Sequence, residues 1–118
     1  MKDISDTLEY KGKNYPLMFN LNVLEEIQGE YGTFAGWLDK ISGEKTGEPD
    51  IKAIKFAYLQ MINEGIDIEN DEKGEKREPV TMKFIGRMFT EVGLDKMIEK
   101  LNKLALESNQ GGEDSKNE

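Results

Sequence analysis

The sequence predicts a mainly α fold with a small β element: an N-terminal β-hairpin followed by about five helices in a small bundle. Three observations carry that prediction. Apolar residues from Leu24 onward recur three and four apart, the spacing of one helix face. Only the stretch before Asn20 alternates in strand fashion, around Gly12. Capping residues and glycines then punctuate the helical runs, with Asn20 before and Gly32 after the first, Thr33 and Gly43 around the second, and Thr81 and Gly93 around the fourth.

The hairpin is read from Leu8-Glu9-Tyr10-Lys11 and Asn14-Tyr15-Pro16-Leu17-Met18-Phe19, joined at Gly12-Lys13. Gly12 supplies the positive φ that a tight turn needs. Pro16 cannot donate a ladder hydrogen bond, so its strand is expected to lie at an edge or to be irregular there. Residues 1–6 are polar and expected to fray. The first helix follows Asn20 and buries Leu24, Ile27 and Tyr31. The second runs from Phe34 to Ile41, with Phe34, Trp37, Leu38 and Ile41 on one stripe and Trp37 as a core anchor. After the loop 42–49, Asp50 opens a third helix over 51–63. Ile51, Ile54, Tyr58, Met61 and Ile62 share its face. Phe56 falls off that stripe among Lys52, Gln60 and Asn63, and Leu59 lies between the two surfaces. A second apolar surface means either burial on two sides or a docking patch. Residues 64–79 carry seven acids against three bases and read as an acidic, solvated loop. The fourth helix carries Met82, Ile85, Met88, Phe89 and Val92. Gly86 interrupts it, either as a weak point costing about 1 kcal/mol against Ala if exposed or as the mark of a neighbouring backbone's close approach. The fifth helix spans about 94–106. The domain is thus expected to be 1–107, with a disordered acidic tail at 108–118.

Composition excludes several classes of function. With 36% hydrophobic and 34% charged residues and a net charge of −8, the chain lacks the clustered Lys and Arg that nucleic acid requires. The same lack disfavours an anionic membrane surface, and no apolar run is long enough to span a bilayer, so no membrane partner is expected. His and Cys are both absent, which removes the usual general base, thiolate nucleophile and zinc ligands. The acids fall on loops and solvated helix faces. No enzymatic activity, cofactor or metal is therefore expected. One spacing imitates a calcium loop: Asp67, Glu69, Asp71 and Glu78 fall at positions one, three, five and twelve. Glu72 stands where the sharp turn requires glycine, so a charged loop is the reading kept. What remains is protein binding through helix faces, with Phe56 and Leu59 as candidate contacts.

The stretch from Thr7 to Gly32, TLEYKGKNYPLMFNLNVLEEIQGEYG, resembles the opening of the small tail assembly chaperones of long-tailed phages and prophages of Gram-positive hosts. The matching positions are Gly12-Lys13, Tyr15-Pro16-Leu17, Phe19-Asn20-Leu21 and Tyr31-Gly32. They cover about a fifth of the chain in motif, and the later helical pattern looks similar. The resemblance implies a helper that binds the tape-measure protein and recruits tail-tube subunits in the host cytoplasm. Weak self-association stays open. A small structural or tail-completion virion protein is the alternative, and an acidic mimic of nucleic acid is a further one.

Overall fold

The computed structural model describes residues 4–117, with side chains described through Ser108. The chain runs β1 (Ile4–Tyr10), β2 (Lys13–Phe19), α1 (Leu21–Tyr31), α2 (Phe34–Ser42), α3 (Ile51–Lys73), α4 (Met82–Val92) and α5 (Leu94–Asn117). It is mainly helical, with a two-stranded antiparallel hairpin at its start, as the hydrophobic periods require.

The hairpin turn is Lys11-Gly12, one residue earlier than the sequence reading placed it, and both residues have positive φ (52° and 75°). Two central residues with positive φ match the right-handed twist of the strands they join. Tyr10 therefore pairs with Lys13, and the ladder continues to Ile4 opposite Phe19. Ile4, Ser5 and Asp6 belong to β1, which corrects for these three the expectation that residues 1–6 fray, while residues 1–3 lie outside the described residues. Pairing with Phe19, Met18 and Leu17 holds Ile4, Ser5 and Asp6. Tyr15, Leu17 and Phe19 alternate as the buried face of β2, joined by Leu8 and Tyr10 of β1.

All four side-chain caps form. Asn20, Thr33, Asp50 and Thr81 each accept a hydrogen bond from the backbone N–H three residues on, at 2.9–3.2 Å. In α1 the buried positions are Val23 and Ile27, while Leu24 and Tyr31 are half-buried. Trp37 is fully buried, and its indole N–H donates to the Ala53 carbonyl at 3.2 Å. Its ring lies among Phe19 and Phe34, so α2 is fastened to the hairpin and to α3 together.

The acidic loop expected at 64–79 is corrected: α3 continues as helix to Lys73. The helical face carries on through Gly65 and Ile66, both buried, with Ile68 half-buried beside them. Asp67, Asp71 and Glu72 face solvent and cost the helix little. Gly74 ends it in the left-handed conformation, its N–H donating to the Asn70 carbonyl. The remaining connection, 75–81, is pinned to α3 by two asparagines. Asn63 donates to the Val80 carbonyl (3.1 Å) and accepts from the Val80 N–H (2.8 Å). Asn70 makes the same reciprocal pair with Arg77, at 3.0 Å each way. The two lie seven residues apart, about two helical turns, and so share one face. Each amide side chain thereby supplies the hydrogen bonds that a neighbouring strand would supply.

α3 is the central element. Ile54, Ala57, Tyr58, Met61, Ile62 and Ile66 join one core cluster with the hairpin and the other helices. The Tyr58 hydroxyl donates to the Met97 carbonyl of α5 at 2.7 Å. Phe89 packs edge-on against the same ring. Phe84, on α4, sits between Tyr10 and Tyr15 with ring centres 5.6 and 5.5 Å away, tying α4 to the hairpin. Gly86 lies beneath the Lys55 side chain, so the neighbour there is a side chain and not the backbone the sequence suggested. Ser108, expected to begin the disordered tail, is instead buried on α5, which runs past the helix end expected near 106. The rest of the expected disordered tail, 109–118, lies outside the described side chains. No described helix is long and apolar enough to cross a membrane.

Candidate functional site

The sequence singles out Phe56 and Leu59 on α3, and the structure places both at the margin of the core. Each is half-buried and packed against the central cluster. Phe56 meets Tyr31, the last residue of α1, edge to face with ring centres 5.7 Å apart. The off-stripe surface of α3 is thus covered in part by the end of α1. It is neither a sealed second core nor a bare apolar patch.

That surface leads into a groove. Gln60, Asn63, Asp67 and Asn70 follow Phe56 at helical spacing and line an open cleft of about 410 Å³ between α1 and α3. Asn22, Glu25 and Glu26 of α1 form its opposite wall, and Arg77 and Pro79 close one end. The groove exists because α3 runs ten residues further than its first apolar stripe suggests, which sets the reading of Glu64 and Asp67 as loop acids aside.

The electrostatics are one-sided. Glu25, Glu26, Glu64 and Asp67 supply four carboxylates, and Arg77 is the one cation among the described lining residues. Arg77 is already engaged: its guanidinium stacks on the Tyr15 ring at 4.7 Å and donates to the Asn14 carbonyl at 3.0 Å. Glu64 is held by Asn20 and Asn22, whose side-chain amides donate to one carboxylate oxygen at 2.7 and 2.9 Å. Asn20 therefore caps α1 and also anchors that helix to α3. Glu25, Glu26 and Asp67 stand exposed. The cleft offers hydrogen-bond acceptors and negative charge, with the Tyr31–Phe56 pair as the neighbouring apolar contact.

Beside the cleft, burial raises the Tyr31 hydroxyl above its ordinary pKa, and the Asp50 and Glu30 charges add to the rise. Burial pushes the Tyr58 hydroxyl far above its usual range, with the nearby Asp6 charge adding to it. Tyr58 lies in the core, bonded to a carbonyl, and takes no part in the cleft. Asp67, Glu69 and Asp71 of the apparent calcium loop lie on α3 as helix. Among the described residues, no three acids converge closely enough to hold a metal ion.

Sequence reasoning missed Asn63, Asn70 and Glu64 as organising residues. A signal was present: Asn63 and Asn70 stand seven residues apart, on the same helical surface as Phe56. The architecture is that of a small helical domain with an N-terminal hairpin and an acidic interhelical groove. Compared with protein-family models, with curated proteins and with solved structures, the chain matches none.

Proposed function

We propose that this chain is a tail assembly chaperone of a long-tailed phage or prophage. In this reading it binds helical segments of the tape-measure protein and recruits tail-tube subunits in the host cytoplasm. It has no enzymatic activity, works without a cofactor, and binds neither nucleic acid nor membrane. The resemblance of residues 7–32 is the ground for the identity of the clients. The observation that supports binding as the mode of action is the half-buried Tyr31–Phe56 pair, with Leu59 three residues further along α3, one helical turn before Gln60 in the wall of the acidic groove. Amphipathic helices dock by setting apolar residues three and four apart against such a contact. The surrounding carboxylates favour clients with Lys or Arg flanking that stripe.

The test is co-expression with tape-measure fragments, scored by how much fragment stays soluble. The wild-type chain should raise the soluble fraction, and Phe56→Gln should reduce that gain at least severalfold while keeping the helical circular dichroism spectrum. No gain with the wild-type chain would remove the chaperone reading. Finding the protein stoichiometrically in mature particles would favour a structural virion component instead.

A further inference from the structure

We infer that Asp6 is a guard on the open edge of β1, and that it prevents a second copy of the chain from pairing there as a strand. The hairpin has two strands, so β1 has one edge without a strand partner among the described residues. The register shows which backbone groups face that edge. Tyr10 and Lys13 close the two-residue turn as a hydrogen-bonded pair, and such pairs alternate along an antiparallel ladder. Thr7 falls opposite Pro16, at a position where neither N–H enters the ladder. That is why a proline is tolerated in β2, and it directs the Thr7 N–H outward.

The outward N–H is occupied by the chain itself. Asp6 Oδ1 accepts it at 2.7 Å, while Asp6 Oδ2 pairs with Lys100 Nζ of α5 at 3.0 Å. Asp6 also has the same parity as Ile4, Leu8 and Tyr10, so it is the charged member of an otherwise apolar face of β1. Charges on the inward face of an edge strand are a known means of blocking edge-to-edge pairing. Here the carboxylate acts twice. It takes the hydrogen bond an incoming strand would need, and it keeps a charge where that strand's neighbouring side chain would pack.

The occupant excluded is a second β1 in antiparallel register about Thr7. That register places Ser5 opposite Glu9 of the second copy and Ile4 beside its Tyr10. The apolar face would then continue across the seam, and the two Thr7 residues would exchange both backbone bonds on the axis.

The experiment is sedimentation equilibrium on the full chain in three forms: wild type, Asp6→Ala, and Asp6→Ala combined with Thr7→Pro. Asp6→Ala should self-associate at least tenfold more tightly than wild type. Adding Thr7→Pro, which removes an N–H that the internal ladder does not use, should return association to the wild-type level. If Asp6→Ala fails to fold, Asp6→Val carries the same test, because a β-branched apolar residue suits that strand position. Folded variants that associate no more tightly than wild type would overturn the inference. So would association that survives Thr7→Pro.

Discussion

Gly65→Ala and Gly29→Ala make the same chemical change on two helices, and the structure predicts opposite signs. Both glycines are helical, and alanine is intrinsically better there by about 1 kcal/mol. Part of that gain comes from the unfolded chain, which loses freedom equally in both variants. At Gly29, on α1, a new methyl group would meet nothing within 4 Å. At Gly65, on α3, it would lie 2.7 and 2.9 Å from two ring carbons of Pro16 and 3.3 Å from that residue's carbonyl carbon. The proline ring is rigid, and its strand is held in the ladder with β1, so it cannot swing aside as a long flexible side chain would. Overpacking of this kind costs about 1–3 kcal/mol. The contacts here include backbone, so the upper half of that range applies and outweighs the helical gain. Gly65→Ala should therefore lose about 1–2 kcal/mol, and Gly29→Ala should gain about 0.5–1 kcal/mol. At roughly 4 °C per kcal/mol for a domain of this size, Tm should fall by about 4–8 °C in the first and rise by about 2–4 °C in the second. Thermal melts followed by circular dichroism at 222 nm decide the matter. A Gly65→Ala variant as stabilised as Gly29→Ala would mean that α3 does not lie against Pro16, and the packing of α3 on the hairpin would be wrong.

Asn63→Ala and Asn70→Ala should each release one end of the 75–81 connection, at a cost of about 1–3 kcal/mol for the unpaired backbone groups. Hydrogen exchange should quicken at Val80 in the first and at Arg77 in the second, with α1 and α2 unchanged; uniform quickening throughout would instead indicate global destabilisation. Tyr58 gives a pH dependence. Burial raises its pKa in the folded state, so its hydroxyl stays neutral where the unfolded chain would ionise. The stability that neutral form contributes is complete below the ordinary tyrosine pKa of about 10 and is lost as pH rises beyond it. Urea midpoints should fall above about pH 10, and Tyr58→Phe should flatten that decline.

Much of the architecture was legible in residues alone. Caps and glycines marked the helix limits at Asn20, Gly32, Thr33, Gly43, Asp50, Thr81 and Gly93, because those residues act on the backbone within three or four positions. The burial of Trp37 followed from its place on the α2 stripe. What failed was of another kind. The segment 64–73 reads as loop because acids outnumber apolar residues there, yet Gly65 lies against Pro16 of the hairpin and Ile66 is buried in the core. The residues point to a turn one position late, because nothing in Lys11 as a residue type signals the positive φ it adopts. Phe56 was legible as off-stripe and Leu59 as lying between the two surfaces, but not the half-covering of Phe56, since Tyr31 reaches it only after α1 and α3 have packed.

The sequence by itself determined the class of fold, the order of its elements and the absence of imidazole and thiol chemistry. Each of these depends on residue type or on spacing within a few positions. Only the tertiary structure decided where α3 ends, which groups line the acidic groove, and how Asn63, Asn70, Arg77 and Asp6 are engaged. Those outcomes rest on contacts such as Asn20 with Glu64, Arg77 with Asn14 and Asp6 with Lys100. Residues that far apart in the chain meet only when the whole core assembles, because the entropy of closing such loops is met by burial of many side chains together and not by any one pair.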